Sequence, residues 1–241
     1  MKRDMLLLFL CLCVLGGVGC LDAARQPQFL NAVSAAGERP WTLILDAGHG
    51  GEDGGASTAA GDKESGINLA IVRKLQSLMV FLGVEPRLTR ETDISLHSSE
   101  AETLRQKKVS DLRNRVALIE SIPNAILISV HQNHFTDSRY SGAQVFFGSG
   151  DISRQWGEHT QEVFREILDP DNERKAKPIP SGIYLFDHIS CPAILAECGF
   201  LSNGEEAALL LTDVYQRKAA VALAGAYLNE VQLIPTGLGG G

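Results

Sequence analysis

Short apolar runs alternate along this chain with stretches in which apolar residues recur every three or four positions, the pattern of buried strands alternating with amphipathic helices. Trp41 to Leu45 predicts the first strand. Ile67, Ile71, Leu75, Leu78 and Leu82 mark one face of a helix over about 64–82, which Gly83 ends. Val84 to Leu88 predicts a second strand, followed by TRETD (89–93) and a polar stretch, 94–110, read as a solvated insertion able to wall a crevice. A helix is expected from about Asp111, with Leu112, Val116 and Ile119 on one side and Pro123 at its end. Ala125 to Val130 predicts a third strand and Gly142 to Phe147 a fourth. Trp156, Thr160, Val163, Phe164 and Ile167 then trace a helix that stops before Pro170. Ile183 to Phe186 reads as a short strand and PAILAECGF, from Pro192, as the last. Helices over 204–211 and 213–231 follow, with Thr212 as a cap between them. The alternation predicts a single α/β domain, a mostly parallel twisted sheet flanked by helices on both faces.

The ends of the chain fall outside this pattern. Lys2 and Arg3 precede Met5 to Gly19, a run without charge that is short for a bilayer-spanning helix and is closed by Cys20. Residues 1–20 therefore read as a signal peptide or membrane anchor, which implies export and confines any membrane contact to this segment. Gly17-Val18-Gly19-Cys20 resembles a lipoprotein processing site, although Gly17 stands where that pattern has Leu. Residues 21–40 read as a linker, 41–231 as the catalytic domain and 232–241 as a flexible tail. Net charge is −7 with no basic stripe, which argues against a nucleic-acid partner. Of five cysteines only Cys191 and Cys198 lie beyond the leader, and a strand over 193–198 would hold them too far apart to bridge.

The loop after the first strand, DAGHGGEDGGA, carries one histidine among five glycines. A phosphate-binding loop is disfavoured, because the nearest lysine is Lys63 and the loop is acidic at Glu52 and Asp53. In parallel sheets ligands bind beyond the carboxyl ends of the strands. The first, third and last strands each deliver a polar residue there: His49, His131 and Glu197. Glu64, in the first turn of the first helix, faces the same loop. Two imidazoles and a carboxylate on separate elements match the catalytic zinc pattern, three protein ligands leaving a fourth position for water, so His49, Glu64 and His131 are the candidate ligands. Glu197 as a fourth ligand would fill that position, so it is assigned as general base. Each alone has an ordinary reading: Glu64 a helix-start carboxylate, His131 a hydrogen-bonded strand-end residue, Glu197 a cap for Gly199 to Asn203. His134 is left as a substrate contact, and His97, His159 and His188 have no comparable placement.

LDAGHGGEDGGA, ESGINLA, SVHQNHF and AECGFLSN resemble, in order and spacing, the four motifs of the zinc-dependent N-acetylmuramoyl-L-alanine amidases of the amidase_3 family, across about residues 41–231. TRETD, DLRNRV, SGAQVFF and EEAALL resemble further its CwlD-type sporulation and germination branch. The resemblance implies zinc held by His49, Glu64 and His131, with Glu197 catalytic. It implies hydrolysis of the amide between N-acetylmuramic acid and L-alanine of peptidoglycan, in spore cortex, as a step toward muramic-δ-lactam. The expected location is outside the cytoplasmic membrane, secreted or tethered, in the forespore envelope. Departures are Ala47 in place of a usual Pro, with Gln132 and Cys198 at flanking positions. Two readings compete: a zinc carboxypeptidase on peptidoglycan stems, with Arg90, Arg113 or Arg115 as anchor for a free carboxylate, and a non-catalytic wall-binding module. Whether a protein activator is needed is left open, because no residue announces one.

Overall fold

The computed structural model describes residues 41–231, so the expectations for 1–40 and 232–241 lie outside the described residues. The elements in chain order are β1 (Thr42–Ala47), α1 (Glu64–Phe81), β2 (Arg87–Leu88), α2 (Leu104–Glu120), β3 (Ala125–Asn133), β4 (Gln144–Phe147), α3 (Asp151–Ile167), β5 (Lys177–Pro178), α4 (Tyr184–His188), β6 (Ala193–Phe200), α5 (Gly204–Leu210) and α6 (Asp213–Val231). They build one six-stranded sheet in the order β2-β1-β3-β6-β4-β5, parallel except where β4 runs antiparallel to β6.

The central strands β1, β3 and β6 are buried almost throughout, as their largely apolar sequences require. Alternate residues leave the sheet on opposite sides and fill two cores. Leu43, Leu45, Ile126, Ile128 and Ile194 join α1, α3 and α6 in the larger one. Ile44, Leu127 and Leu195 pack with Ile119 of α2 and with Leu185 and Phe186 of α4 in the smaller. Helices thus cover both faces. Ile67, Ile71, Leu75 and Met79 supply the buried stripe of α1, and Gly83, at φ 75°, ends the turn after it. Thr212 caps α6: its hydroxyl accepts from Tyr215 N at 3.2 Å.

Several elements differ from expectation, among them β5, a two-residue strand at Lys177–Pro178 that no apolar run announces. β2 pairs only at Arg87 and Leu88, because Pro86 has no N–H to give a ladder at the sheet edge. β4 begins at Gln144 rather than Gly142. α2 begins seven residues before Asp111, behind a capping box in which Thr103 and Gln106 satisfy each other's backbone N–H groups. Its buried positions are Asp111, Arg115 and Ile119, so charged residues occupy part of the stripe where periodicity looks for apolar ones. Ile183 to Phe186 is not a strand; Tyr184–His188 is a single helical turn that seats adjacent Leu185 and Phe186 in the smaller core. A run of that length carries no period to distinguish the two. Cys191 and Cys198 are both free thiols, Cys198 fully buried.

Candidate metal centre

β1 delivers its loop onto the carboxyl edge of the sheet in a conformation that few residues adopt. His49 has φ 60°, a left-handed backbone, and its imidazole points back toward the first turn of α1. His49 Nε2 lies 3.3 Å from Glu64 Oε2 and His131 Nδ1 lies 3.0 Å from Glu64 Oε1, so the carboxylate sits between the rings. The ring centroids are 5.0 Å apart at 73°. One ligand atom from each of the three residues falls within 4.8 Å of the others, the spacing at which one ion is held. Gly48 and Gly55 leave room for this: a Cβ on Gly48 would stand 2.1 Å from His131 Nε2, and one on Gly55 2.4 Å from Glu64 Oε2. Two imidazoles, one buried carboxylate and a cradle cleared of side chains are a donor set that fits zinc.

The charges in the cluster support one another. Burial opposes the carboxylate of Glu64, but hydrogen bonds from His131 and His49 outweigh it and hold its pKa well below the usual range. Burial likewise opposes a charge on His49, yet the hydrogen bonds to Asp53 and Glu64 push its pKa up to about 9. His49 Nδ1 lies 3.0 Å from Asp53 Oδ2, which leaves Nε2 for the cluster. Lys108 Nζ, from α2, lies 3.3 Å from the same Asp53 oxygen, and Lys107 is ion-paired with Glu52. The insertion therefore closes directly on the acidic side of the loop.

Glu197 lies on β6 in register with His131 of β3, so the two side chains leave the sheet on the same face. Burial, reinforced by the nearby Glu64 charge, pushes its pKa up to about 7 against the pull of the histidines. Its Oε2 is buried without a hydrogen-bond partner. A carboxylate left unpaired at that depth stays protonated near neutrality, or is poised to take a proton from whatever enters.

Beneath the loop lies a support that periodicity does not disclose. Arg90 donates from Nε to Ala47 O at 2.9 Å and from Nη2 to Gly48 O at 3.1 Å and Ser65 O at 2.8 Å, tying the His49 loop to the start of α1. Arg115 pairs with Asp46 and with Asp111, at 2.7 Å, and donates to His49 O at 2.7 Å. Burial opposes the charge of Asp46, but Arg115 with the Thr89 and Ser129 hydroxyls lowers its pKa to about 2. Arg90 and Arg115 are thus buried and engaged, leaving neither as an anchor for a substrate carboxylate; Arg113 is exposed on α2. Asn68 donates to Gly48 O and Glu64 Oε1 and accepts from Gln132, which gives Gln132 a place in the same support. His134 is exposed and lines a hollow beside the cluster, not the cluster itself. Periodicity does not single out Asp53, Asn68 or Asp46; the signals for the first two are their i, i+4 spacings to His49 and to Glu64, and Asp46 has none.

Residues 43–229 match the family model described as N-acetylmuramoyl-L-alanine amidase. A germination-specific N-acetylmuramoyl-L-alanine amidase of Bacillus subtilis is 35% identical over 195 residues, 77% of this chain and 80% of that protein. The amidase AmiA of Escherichia coli is 25% identical over 237 residues, 80% of this chain and 76% of that one. Among solved structures, the CwlD amidase of Clostridioides difficile, in complex with the GerS lipoprotein, is 38% identical with a TM-score of 0.77, covering 80% of this chain and 100% of that chain. The fold, the four motifs converging on one sheet edge and these likenesses agree: the chain belongs to the N-acetylmuramoyl-L-alanine amidase family.

Proposed function

We propose that this amidase cleaves the bond between N-acetylmuramic acid and L-alanine with zinc held by His49, Glu64 and His131 and with Glu197 moving the proton. The observation that carries this is the Glu197 carboxyl, its Oε2 buried without a partner, in register with His131 of a cluster of three donors within reach of one ion. Held by these three residues, zinc would supply Lewis acidity toward the amide carbonyl and toward a water. Glu197, with a pKa of about 7, accepts the proton from the attacking water and returns it to the leaving nitrogen of L-alanine. The C–N bond breaks, leaving a lactyl carboxylate on the sugar and a free amino terminus on the stem. Asp53 keeps Nε2 of His49 turned inward, and Arg90 and Arg115 hold the loop backbone against displacement.

The substrate we propose is spore-cortex peptidoglycan, with stem removal preparing muramic acid for conversion to muramic-δ-lactam by another enzyme. The germination-specific Bacillus subtilis relative supports this reading. Work outside the cytoplasmic membrane requires export, assigned here to residues 1–20, with 21–40 as linker and 41–231 as the catalytic domain; among the described residues no helix is long and apolar enough to cross a membrane. A lipoprotein partner is proposed by analogy with the Clostridioides difficile complex. Digestion of purified cortex, read by mass spectrometry beside metal analysis, tests the whole. Free stems beginning at L-alanine, released by protein with about one zinc per chain, support it. Loss of only a terminal stem residue, or full release without metal, would overturn it.

A further inference from the structure

Past the candidate metal centre, the segment from β3 to β4 presents two aromatic rings to solvent. Phe135 and Tyr140 are 49% and 48% exposed, and their rings meet edge to face at 4.9 Å. Isolated exposed apolar residues need no explanation, but these two are not isolated. Tyr140 stacks on Phe200 of β6 at 6.4 Å and 27°, and the Arg174 guanidinium lies 4.5 Å from the Phe200 ring centre and 5.9 Å from that of Tyr140. The backbone beneath is fixed as well. Phe135 N donates to Ser202 Oγ at 3.1 Å, Asn203 Nδ2 to Ser138 O at 3.0 Å and Leu201 N to Asn133 O at 2.8 Å. The rings are therefore preorganised on a braced segment, which lowers the ordering cost of binding.

Position connects the rings to the reaction. Phe135 follows His131 by four residues, at most about 13 Å of extended chain, and Phe200 follows Glu197 by three on the neighbouring strand. A hollow of about 440 Å³, lined in part by Thr58, Asp62, His134, Phe135, Leu201 and Leu211, opens at this same edge. The rim offers little for an anionic stem. Arg139 is paired with Asp137, and Arg174 is spent on Ser141 O and Gln144 Oε1 and on the two rings. Beside the exposed His134 and Arg139, the rim offers aromatic surface, whose electron-rich faces suit the axial C–H groups of a pyranose.

We propose that Phe135 and Tyr140 form a sugar-binding platform that holds a pyranose of the glycan strand flanking the muramic acid under attack. The proposal rests on the amidase reading for its substrate, but its test does not depend on turnover. A stem-free oligosaccharide of the peptidoglycan backbone, titrated into the protein and followed by NMR, should shift resonances of residues 134–140. Phe135→Ala and the double variant Phe135→Ala, Tyr140→Ala should weaken that binding about tenfold or more, while Phe135→Trp retains it. In parallel, the alanine variants should raise KM on long stem-bearing strands about tenfold, with kcat and activity on a single-sugar muramoyl dipeptide within about twofold of the parent and a melting temperature within about 3 °C of it. Absence of sugar binding by the parent protein, or variants that lose the single-sugar substrate as much as the polymer, would overturn the platform. Sugar binding at the rings by a protein that releases no stems would uphold the platform and count against the amidase reading alone.

Discussion

The proposed metal centre should depend on Asp53 to a degree set by its contacts. Asp53 holds Nδ1 of His49 at 3.0 Å through Oδ2, and its Oδ1 accepts from Gly55 N at 3.3 Å. A carboxylate behind a ligating histidine fixes its tautomer and raises its basicity, and loss of such a partner costs about 10- to 100-fold in metal affinity, roughly 1.4–2.7 kcal/mol. With about a third of its side chain exposed, Asp53 belongs in the lower half of that range, so Asp53→Ala should weaken zinc binding about 10- to 30-fold. Asp53→Asn keeps one acceptor oxygen, for His49, but loses the Gly55 contact, because its amide nitrogen cannot accept, and removes the charge; it should cost about threefold or more. Lys108 reaches Asp53 from a largely exposed position, so Lys108→Ala should change affinity by less than about fivefold. Competition against a chromophoric chelator at pH 7.5, with thermal melts of the metal-free proteins, gives the measurement. A well-folded Asp53→Ala that binds zinc within about twofold of the parent would refute the role, as would Lys108→Ala proving the more damaging change.

The two glutamates should separate: Glu64→Ala loses zinc and turnover together, whereas Glu197→Gln keeps about one zinc per chain and loses about 10²- to 10⁴-fold in kcat, read by metal analysis beside stem release. Because the pKa of His49 is raised to about 9 in the metal-free protein, its protonated form contributes stability that is full below about pH 6.5 and lost as pH rises through 9. Zinc must displace that proton, so apparent affinity should climb about tenfold per unit from pH 7 to 8, and a flat profile would contradict the assignment. Arg115→Ala strands Asp46 and Asp111 as buried charges and should destabilise the fold by about 3–5 kcal/mol in urea titration. Gly48→Ala would put a Cβ 2.1 Å from the His131 ring, so it should lower metal affinity even where the protein still folds.

The parts of this fold legible in the chain alone rest on patterns that one residue and its near neighbours express. The apolar runs of β1, β3 and β6 are buried wherever they are placed, so their existence, and the polar residues that end them, can be read directly: His49, His131 and Glu197 fall at one edge because parallel strands end together. Glu64 was legible because it opens an amphipathic helix just behind the loop. Long-range packing fixes the rest. α2 hides its inner face behind Asp111 and Arg115, which are tolerable inside only because Asp46 and the His49 carbonyl wait across the sheet, a fact no local window contains. The turn Tyr184–His188 is helical because the pocket beneath it accepts Leu185 and Phe186 side by side. The orientation of His49 depends on a left-handed φ, on Asp53 behind it and on two arginines from elsewhere in the chain beneath it. Sequence names the candidate groups, since their types and order are local; which nitrogen faces inward and which charges are held in place depends on partners up to 83 residues away, brought together only when the sheet closes over its two cores.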